Sequence, residues 1–319
     1  MTTKLILDLD TGIDDALAIA YALGSPDAEL LAITGTFGNV TVDQGVRNAL
    51  AVTELLGHPE VKVYRGLPHA SRVGSFAVSE GTRRIHGANG IGEVTIPEPT
   101  RGPESEPAVD FIIDAAATYG KDLVIVPTGA MTTIAAALAK APGIKDQVGG
   151  IVMMGGALTV AGNVSAWAEA NIAQDPDAAD SLFRSGAPVT MVGLDVTLRT
   201  LLTTAETRTW RALGTPAGDF LADMTDYYIG AYAAIAPHLG GCGLHDPLAV
   251  ATALDPTLVD TLPINMRVDV DGPTRGRTIG DPARLNDPVA TTLAAVDVDV
   301  PRFLGRFMER ITALARGER

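Results

Sequence analysis

Short apolar runs alternate with alanine-rich amphipathic stretches along most of this chain, and this alternation limits the folds it can adopt. Strands are predicted at residues 4–9, 30–34, 61–64, 123–126, 150–154 and 189–192. Helices are predicted at residues 14–23, 42–56, 107–119, 131–140 and 177–185. Repeated strand–helix units are typical of the α/β class, in which a mostly parallel central sheet is covered by helices on both faces.

The alternation is interrupted once and changes character near the end of the chain. Residues 65–106 are rich in Gly, Pro, Ser and charge, and a loop of this length is usually functional or mobile. After residue 192 the sequence is more helical, at 204–211, 219–235, 247–253 and 301–316, with late strands predicted at 264–270 and 277–279. No linker-like composition separates these parts, so a single domain over residues 1–319 is predicted.

Composition excludes several classes of function. Hydrophobic residues make up 46% of the chain, which is enough for a large core. The net charge of -14 opposes binding to nucleic acid or anionic membranes and favours a metal or a neutral small molecule. Cys242 is the single cysteine, and neither a signal-peptide pattern nor a membrane-length apolar run is present. A cytoplasmic protein is therefore predicted.

The first predicted strand ends in a dense group of carboxylates. Asp8 and Asp10 share one face of the strand, and Asp14 and Asp15 open the helix that follows. First-turn acids often only complement the helix dipole, but that role does not explain Asp8 and Asp10. Ligands bind beyond the carboxyl ends of strands in α/β sheets, and oxygen-only ligands select Ca²⁺ or Mg²⁺. The sequence predicts a hard-metal site here.

Other strand ends carry polar residues with two possible interpretations each. Asn39 follows the second predicted strand, and Thr128 follows the fourth. Both can lie in ordinary turns, and the backbone carbonyl of Thr128 can alternatively bind a cation. Glu169 and Asn171 follow the fifth strand, and a carboxylate with an amide suits sugar hydroxyls, although a solvated loop is the alternative. Asp175 is predicted to cap the next helix.

Two histidines are candidates for chemistry. His245 lies beside Asp246 and Pro247, where Asp246 can simply cap a helix and His245 can move a proton. His86 lies ahead of two glycines in the long loop, which can carry it over a pocket as part of a lid. An exposed surface histidine is the other interpretation of His86.

Together, in order along the chain, these motifs closely resemble the inosine–uridine preferring nucleoside hydrolase family. The DxDxGxDDA pattern at Asp8–Ala16 is the hallmark of that family, and the GN motif at Asn39 and the HDP motif at His245 match as well. The MGGA, GN and ExN motifs match at Met154, Asn163, and Glu169 with Asn171. The resemblance covers nearly the whole chain.

The resemblance implies an open Rossmann-like fold and calcium-dependent hydrolysis of the N-glycosidic bond of ribonucleosides, through an oxocarbenium-like transition state. It implies Ca²⁺ ligands at Asp10, Asp15, the Thr128 carbonyl and Asp246. It implies contacts to substrate from Asp14, Asn39, His86, Met154, Asn163, Glu169 and Asn171. Asp10 would activate a metal-bound water and His245 would protonate the leaving base. The family also suggests a homodimer or homotetramer.

Some positions depart from the family pattern. Asn89 stands where the lid motif usually has an acid, and Ala170 stands where an aromatic residue is frequent. Both positions are expected near the base, so the choice between purine and pyrimidine stays open. The predicted helix at 219–235 offers Tyr227, Tyr228 and Tyr232 as aromatic residues that could face the base.

Two other functions are compatible with parts of the sequence. Asp8-Leu9-Asp10-Thr11 also fits the nucleophile motif of Mg²⁺-dependent haloacid-dehalogenase-like phosphatases, with Thr128, Lys140 and the acids Asp281 and Asp287 imitating the remaining motifs. That interpretation makes Asp8 a covalent nucleophile and leaves Glu169, Asn171 and His245 without a role. A non-catalytic Ca²⁺-dependent nucleoside-binding protein would keep the acids but need no proton donor.

Overall fold

The computed structural model describes residues 2–318. Its strands, in chain order, are β1 (Thr3–Leu9), β2 (Ala28–Gly35), β3 (Lys62–Arg65), β4 (Leu123–Pro127), β5 (Gly150–Met154), β6 (Val189–Val192), β7 (Leu201–Leu202), β8 (Cys242–Gly243), β9 (Val259–Pro263), β10 (Met266–Val268), β11 (Thr278–Gly280) and β12 (Thr292–Val298). Its α-helices are α1 (Ile13–Leu23), α2 (Val42–Leu55), α3 (Glu80–His86), α4 (Ala108–Tyr119), α5 (Thr132–Lys140), α6 (Ile144–Gln147), α7 (Ala170–Gln174), α8 (Pro176–Arg184), α9 (Leu194–Thr197), α10 (Thr204–Arg211), α11 (Pro216–Ile235), α12 (His245–Leu254) and α13 (Val300–Ala315).

Eight strands form the central sheet, in the order β3-β2-β1-β4-β5-β6-β12-β9. Every neighbouring pair is parallel except β12 and β9, which places an antiparallel strand at one edge. The predicted α/β class with a mostly parallel sheet is confirmed. Among the described residues, no helix is both long and apolar enough to span a bilayer.

Two apolar clusters cover the two faces of the sheet. Side chains alternate along β1, so Leu5, Leu7 and Leu9 enter the cluster beneath α1, α2, α12 and α13, while Ile6 enters the cluster beneath α4, α5 and α8. Strands that are buried in a parallel sheet appear in the sequence as continuous apolar runs. For this reason the first six predicted strands agree in position with β1 to β6.

The structure corrects the prediction in four places. The long segment 65–106 contains the short helix α3. The predicted strands at 264–270 and 277–279 contain β10 and β11, which pair with each other as an antiparallel ribbon outside the main sheet. Strands β9 and β12 are part of the main sheet but were not predicted, because both are partly exposed and carry aspartates. The short helices α6, α7 and α9 were also missed.

The topology brings loops from distant parts of the chain to one edge of the sheet. Strands β1, β2, β4 and β5 are neighbours and run in the same direction, so their carboxyl ends meet. Helices α1 and α12 pack against each other beside this edge, and both begin there. The candidate site lies at this edge.

Candidate active site

A cavity of about 580 Å³ opens at the carboxyl ends of these strands. Nearly all of the candidate residues line it together: Asp14, Asn39, His86, Thr128, Met154, Asn163, Glu169, Asn171, His245 and Asp246. Asp10 and Asp15 do not line the cavity and lie directly beneath it, hydrogen-bonded to residues that do. The fold therefore gathers into one place side chains that are more than 230 positions apart in the sequence.

Three carboxylates converge at the floor of the cavity. Asp14 and Asp15 lie in the first turn of α1, and Asp246 lies in the first turn of α12. One oxygen from each lies within 4.8 Å of the other two. Burial is the main cause that raises the pKa of Asp15 and of Asp246, and the negative charge of neighbouring carboxylates raises both further.

This donor set fits a hard cation. All of the converging side-chain ligands are carboxylate oxygens, and Asp14 Oδ1 is buried without a hydrogen-bond partner among the described residues. A buried acceptor of this kind costs free energy unless a donor or a cation satisfies it. The cluster can therefore hold a divalent metal such as Ca²⁺ or Mg²⁺.

Asp10 is held by the loop that follows β2. Its Oδ2 accepts a hydrogen bond from the backbone N–H of Asn39 at 2.6 Å, and its Oδ1 accepts one from Asn39 Nδ2 at 3.0 Å. The preceding residue must be glycine, because a Cβ at Gly38 would lie 1.9 Å from Asp10 Oδ2. Burial and the charge of Asp15 raise the pKa of Asp10 well above its usual range. Gly38 and Asn39 therefore position the carboxylate of Asp10, in addition to forming a turn.

Thr128 connects the metal-binding side of the site to the loop after β5. Its hydroxyl donates to Asp15 Oδ1 at 2.8 Å, and its carbonyl accepts from Asn171 Nδ2 at 2.6 Å. The same Asn171 amide lies 3.2 Å from the carbonyl of Met154. Asn171 thus ties together the ends of β4 and β5, and the Thr128 carbonyl predicted as a cation ligand is already engaged with it.

Glu169 and Asn163 make local contacts in this structure. Glu169 caps α7, where Oε1 accepts from Asn171 N at 2.9 Å and Oε2 accepts from Gly156 N at 2.9 Å. Burial raises the pKa of Glu169 to about 7. Asn163 is exposed at the cavity wall, and its Oδ1 accepts from Ala170 N at 3.0 Å. Asp175 caps α8 as predicted, accepting from Ala178 N.

Tyr232, His245 and Thr197 form a hydrogen-bonded chain at the cavity, and Tyr228 bonds to one of the acids. Tyr232 Oη lies 2.6 Å from His245 Nε2, and Thr197 Oγ1 lies 2.7 Å from His245 Nδ1. Tyr228 donates to Asp14 Oδ2 at 3.2 Å. Tyr228 and Tyr232 line the cavity, whereas Tyr227 packs against Gly92 outside it. The structure thereby identifies the two inward-facing tyrosines that sequence alone left open.

Three histidines line the cavity, of which His86 and His245 are buried and His238 is exposed. Burial lowers the pKa of His86 and of His245 to about 4. The backbone N–H of Ile13 donates to His86 Nδ1 at 3.2 Å, which leaves the ring proton of His86 on Nε2. His86 is buried at the end of α3, over the cavity, so it is not a surface histidine.

One departure from the family pattern has a structural explanation. Asn89 does not line the cavity: its Oδ1 accepts from Ile91 N and Glu93 N, and its Nδ2 donates to the carbonyl of Val94. It folds the turn after α3 and is not positioned to contact a base, contrary to the expectation for this position. Ala170 does line the cavity wall.

The geometry is unfavourable for the phosphatase alternative. Asp8 is fully buried in β1 and its Oδ1 accepts from Thr34 at 2.6 Å, so it does not reach the cavity as a nucleophile would. Lys140 pairs with Asp110 at the surface, and Asp281 pairs with Arg184 and Arg284. These residues do not assemble a second site around Asp8.

Thr197 and the two tyrosines are the residues that sequence reasoning missed or left unassigned. Thr197 ends the short helix α9, which carries no motif, and only the tertiary contact to His245 reveals it. The tyrosines lie on a long amphipathic helix, where sequence spacing does not settle which side chain faces a cavity.

Comparison with known proteins gives a consistent result. The family model described as inosine-uridine preferring nucleoside hydrolase matches residues 5–305. A solved purine-preferring ribonucleoside hydrolase from Gardnerella vaginalis is 72% identical with a TM-score of 0.97, over 98% of this chain and 99% of that chain. A plant nucleoside hydrolase, PpNRh1, is 32% identical with a TM-score of 0.91, over 98% of this chain and 100% of that chain.

Curated relatives extend the comparison. The pyrimidine-specific ribonucleoside hydrolase RihA of Enterobacter sp. (strain 638) is 33% identical over 312 residues, which are 98% of each chain. The family match covers nearly the whole chain, and the relatives are enzymes that act on ribonucleosides. This chain therefore belongs to the inosine–uridine preferring nucleoside hydrolase family and is a ribonucleoside hydrolase.

Proposed function

We propose that this enzyme hydrolyses purine ribonucleosides in preference to pyrimidine ribonucleosides, releases the free base and ribose, and depends on Ca²⁺. The observation that carries the chemistry is that a buried group of carboxylates and the hydrogen-bonded Tyr232–His245 pair meet at one cavity. The acids suit the sugar, and the Tyr232–His245 pair suits the leaving base.

The buried carboxylates at the cavity suit a ribose that develops positive charge. Breaking an N-glycosidic bond builds positive charge on the ribose, as in glycoside hydrolysis. Preorganised negative charge stabilises such a transition state in a site from which water is largely excluded. Asp14, together with Asp10 and Asp15 beneath it, supplies this charge in the proposed mechanism.

The proposed cation ligands are Asp10, Asp15, Asp246 and the Thr128 carbonyl, with Asp14 beside them. A hard cation bound there would lower the pKa of water and orient the ribose hydroxyls. The oxygen-only donor set and the orphaned oxygen of Asp14 support this assignment.

Individual side chains carry out the remaining steps of the proposed hydrolysis. Asp10 is proposed to accept the proton of the attacking water, and its cradle of Asn39 and Gly38 fixes its orientation. Asn163, Glu169, Asn171 and Met154 form the wall proposed to hold the ribose. His245, acting with Tyr232, is proposed to help deliver a proton to the leaving base, because a nucleobase anion leaves poorly. His86 is proposed to donate from Nε2 to the bound nucleoside.

Relatives and the cavity wall both support a purine preference. The purine-preferring enzyme from Gardnerella vaginalis is 72% identical, whereas the pyrimidine-specific RihA proteins are 33–34% identical. The cavity is also lined by the apolar side chains of Ile85, Leu198, Ile235 and Leu239. Apolar side chains suit the faces of the two fused rings of a purine.

The preference is tested by comparing kcat/KM for inosine, adenosine and guanosine with that for uridine and cytidine. We expect the purine values to exceed the pyrimidine values by at least about tenfold, which corresponds to about 1.4 kcal/mol of transition-state stabilisation. Equal values, or higher values for uridine or cytidine, would overturn the preference and leave the hydrolase assignment intact.

Three further features remain predictions. A single functional domain is supported by the family match to residues 5–305. The family resemblance supports a homodimer or homotetramer. The single cysteine supports a cytoplasmic location.

A further inference from the structure

We propose that Thr197 is a positioning residue whose hydroxyl fixes the His245 ring so that Nε2 faces Tyr232. The proposal rests on the proposed function, because it assigns His245 and Tyr232 to the leaving-group side of the site. It begins from the contact of 2.7 Å between Thr197 Oγ1 and His245 Nδ1.

The hydroxyl of Thr197 is used differently from those of Thr53 and Thr252, two other buried helical threonines. Thr53 and Thr252 donate to the carbonyls of Ala49 and Leu248, four residues earlier in their own helices. Such bonds are the usual local outlet for a threonine within a helix. Thr197, which is fully buried at the end of α9, instead directs its hydroxyl across to the ring of His245 on α12.

The second ring nitrogen is fixed from another element. His245 Nε2 lies 2.6 Å from Tyr232 Oη on α11, so the ring is hydrogen-bonded at both nitrogens by groups from two different helices. A neutral imidazole has one donor and one acceptor nitrogen, and a hydroxyl can complement either one. Thr197 therefore favours the ring orientation in which Nδ1 faces its hydroxyl and Nε2 faces Tyr232.

Packing allows the ring little other freedom. A Cβ at Gly243 would lie 2.6 Å from His245 Nε2 and 2.9 Å from Cε1, so the backbone of β8 presses against the ring. His245 is only 4% exposed. Without the Thr197 hydroxyl, Nδ1 would lose its partner among the described residues, and the contact between Nε2 and Tyr232 would be the only hydrogen bond left to orient the ring.

The consequence for catalysis depends on the leaving group. Orientation matters most where a base must receive a proton, and small misplacements of catalytic groups can cost about 100-fold. The leaving group of an activated riboside such as p-nitrophenyl riboside departs without a proton. The rate of its hydrolysis should therefore not depend on the orientation of the His245 ring. Thr197 should therefore affect kcat for natural nucleosides and leave KM and the activated riboside nearly unchanged.

The test uses Thr197→Val, which keeps the shape of the side chain and removes the hydroxyl. Thr197→Ser restores the hydroxyl, and Thr252→Val is the matched control, because it removes a buried helical threonine hydroxyl from α12 without contacting the ring.

In the Ca²⁺-loaded enzyme, we expect Thr197→Val to lower kcat for inosine by about 10- to 100-fold and for p-nitrophenyl riboside by less than about threefold. Thr197→Ser should recover kcat to within about threefold of wild type. An equal loss on both substrates, or no rescue by serine, would overturn the proposal.

A second measurement does not depend on activity. Only five histidines are present, so the ring nitrogens of His245 can be assigned by ¹⁵N NMR with a His245→Gln variant. Thr197→Val removes the hydrogen bond at Nδ1, so it should shift the ring nitrogen resonances of His245, whereas Thr197→Ser should restore the wild-type positions. Unchanged His245 resonances in Thr197→Val would overturn the positioning role, even if inosine proves not to be a substrate. Absence of ribose release by the wild type would count against the proposed function alone.

Discussion

At the scale of single residues, Asp10 has the most demanding environment in the site. It is buried, its two oxygens accept from Asn39, and further carboxylates surround it. We predict that Asp10→Ala lowers kcat for ribose release by at least about 10⁴-fold, because it removes both the proposed base and a proposed cation ligand. Steady-state assays of Asp10→Ala check this, with Asp146→Ala as the control, since Asp146 is an exposed acid paired with Lys145. Activity within tenfold of wild type would contradict the role of Asp10.

Asp8 separates the hydrolase from the phosphatase interpretation. Burial raises the pKa of Asp8 to about 7, and its Oδ2 has no hydrogen-bond partner among the described residues. Asparagine has nearly the shape of the protonated acid, so we predict that Asp8→Asn folds and retains ribose release within about tenfold of wild type. Activity, circular dichroism and bound Ca²⁺ are measured together. Complete loss of activity in a folded, Ca²⁺-loaded Asp8→Asn protein would count against the assignment.

His245 should matter in proportion to the basicity of the leaving group. We predict that His245→Ala lowers kcat for inosine by about 10²–10⁴-fold, the usual contribution of general acid catalysis. Hydrolysis of p-nitrophenyl riboside should fall far less, with nearly the same KM, because its leaving group departs as an anion. Parallel assays of the two substrates measure the difference. If both slow by the same factor, His245 is a structural neighbour of Asp246, and Tyr232 or His86 becomes the next candidate donor.

At the scale of elements, the part of the segment 65–106 that carries α3 is proposed to act as a lid. On one side of α3, Ser71 N and Oγ donate to Asp175, and on the other side Asn48 Nδ2 donates to the carbonyl of Asn89. Between these contacts, α3 places Thr82, Ile85 and His86 against the cavity. Such a segment can move against the cavity while these contacts remain in place.

We predict that a bound ribose-like inhibitor protects this lid from trypsin. Arg83 and Arg84 lie on the exposed face of α3, and closure over the ligand should slow cleavage after them. Mass spectrometry of the fragments measures the rate, and cleavage after the exposed Arg316 serves as the internal control. Equal cleavage rates at Arg83 and Arg84 with and without the inhibitor would argue against closure.

At the scale of the whole molecule, the buried acids make stability depend on pH and on the cation. The folded-state pKa values of Asp8 and Glu169 are both raised to about 7, from ordinary values of 3.8 and 4.5. Between about pH 4 and 7 these acids bind more protons in the folded state than in the unfolded state, so their contribution to stability falls as pH rises through this window. The pKa values of His86 and His245, lowered from 6.5 to about 4, act in the opposite direction. Burial also raises the pKa of four further acids, Asp10, Asp14, Asp15 and Asp246, so the acids outweigh the two histidines. A cation at the acidic cluster opposes this loss, because it binds the ionised folded form.

We predict that the metal-free enzyme melts at a lower temperature at pH 8 than at pH 5, and that added Ca²⁺ raises the melting temperature strongly at pH 8 and weakly at pH 5. The protein is freed of metal by chelation at pH 8 and exchanged into chelator-free buffers before calorimetry. Addition of Mg²⁺ at the same concentrations measures cation selectivity. A melting temperature that rises from pH 5 to pH 8 without metal, or does not respond to Ca²⁺, would contradict this description of the acidic cluster.

The sequence predicted most strands and most of the side chains that meet at the cavity for the same physical reason. Buried parallel strands appear as short apolar runs, and polar side chains at or beneath the cavity follow directly after them, as Asp10, Asn39 and Thr128 do. Strands β12 and β9, the last two strands at one side of the sheet, were not predicted because partial exposure breaks the apolar run. Thr197 escaped because its role depends on the packing of α9 against α12, which local sequence does not encode. Asn89 was placed near the base from its motif, whereas its hydrogen bonds serve the turn.

The most direct test of the central claim is the fate of inosine in phosphate-free buffer containing Ca²⁺. We predict that the wild-type enzyme releases free hypoxanthine and free ribose in equal amounts, that excess chelator stops the reaction, and that p-nitrophenyl phosphate yields no p-nitrophenol. Phosphate release from p-nitrophenyl phosphate without any ribose from inosine, or undiminished ribose release in excess chelator from protein shown to be metal-free, would contradict the account.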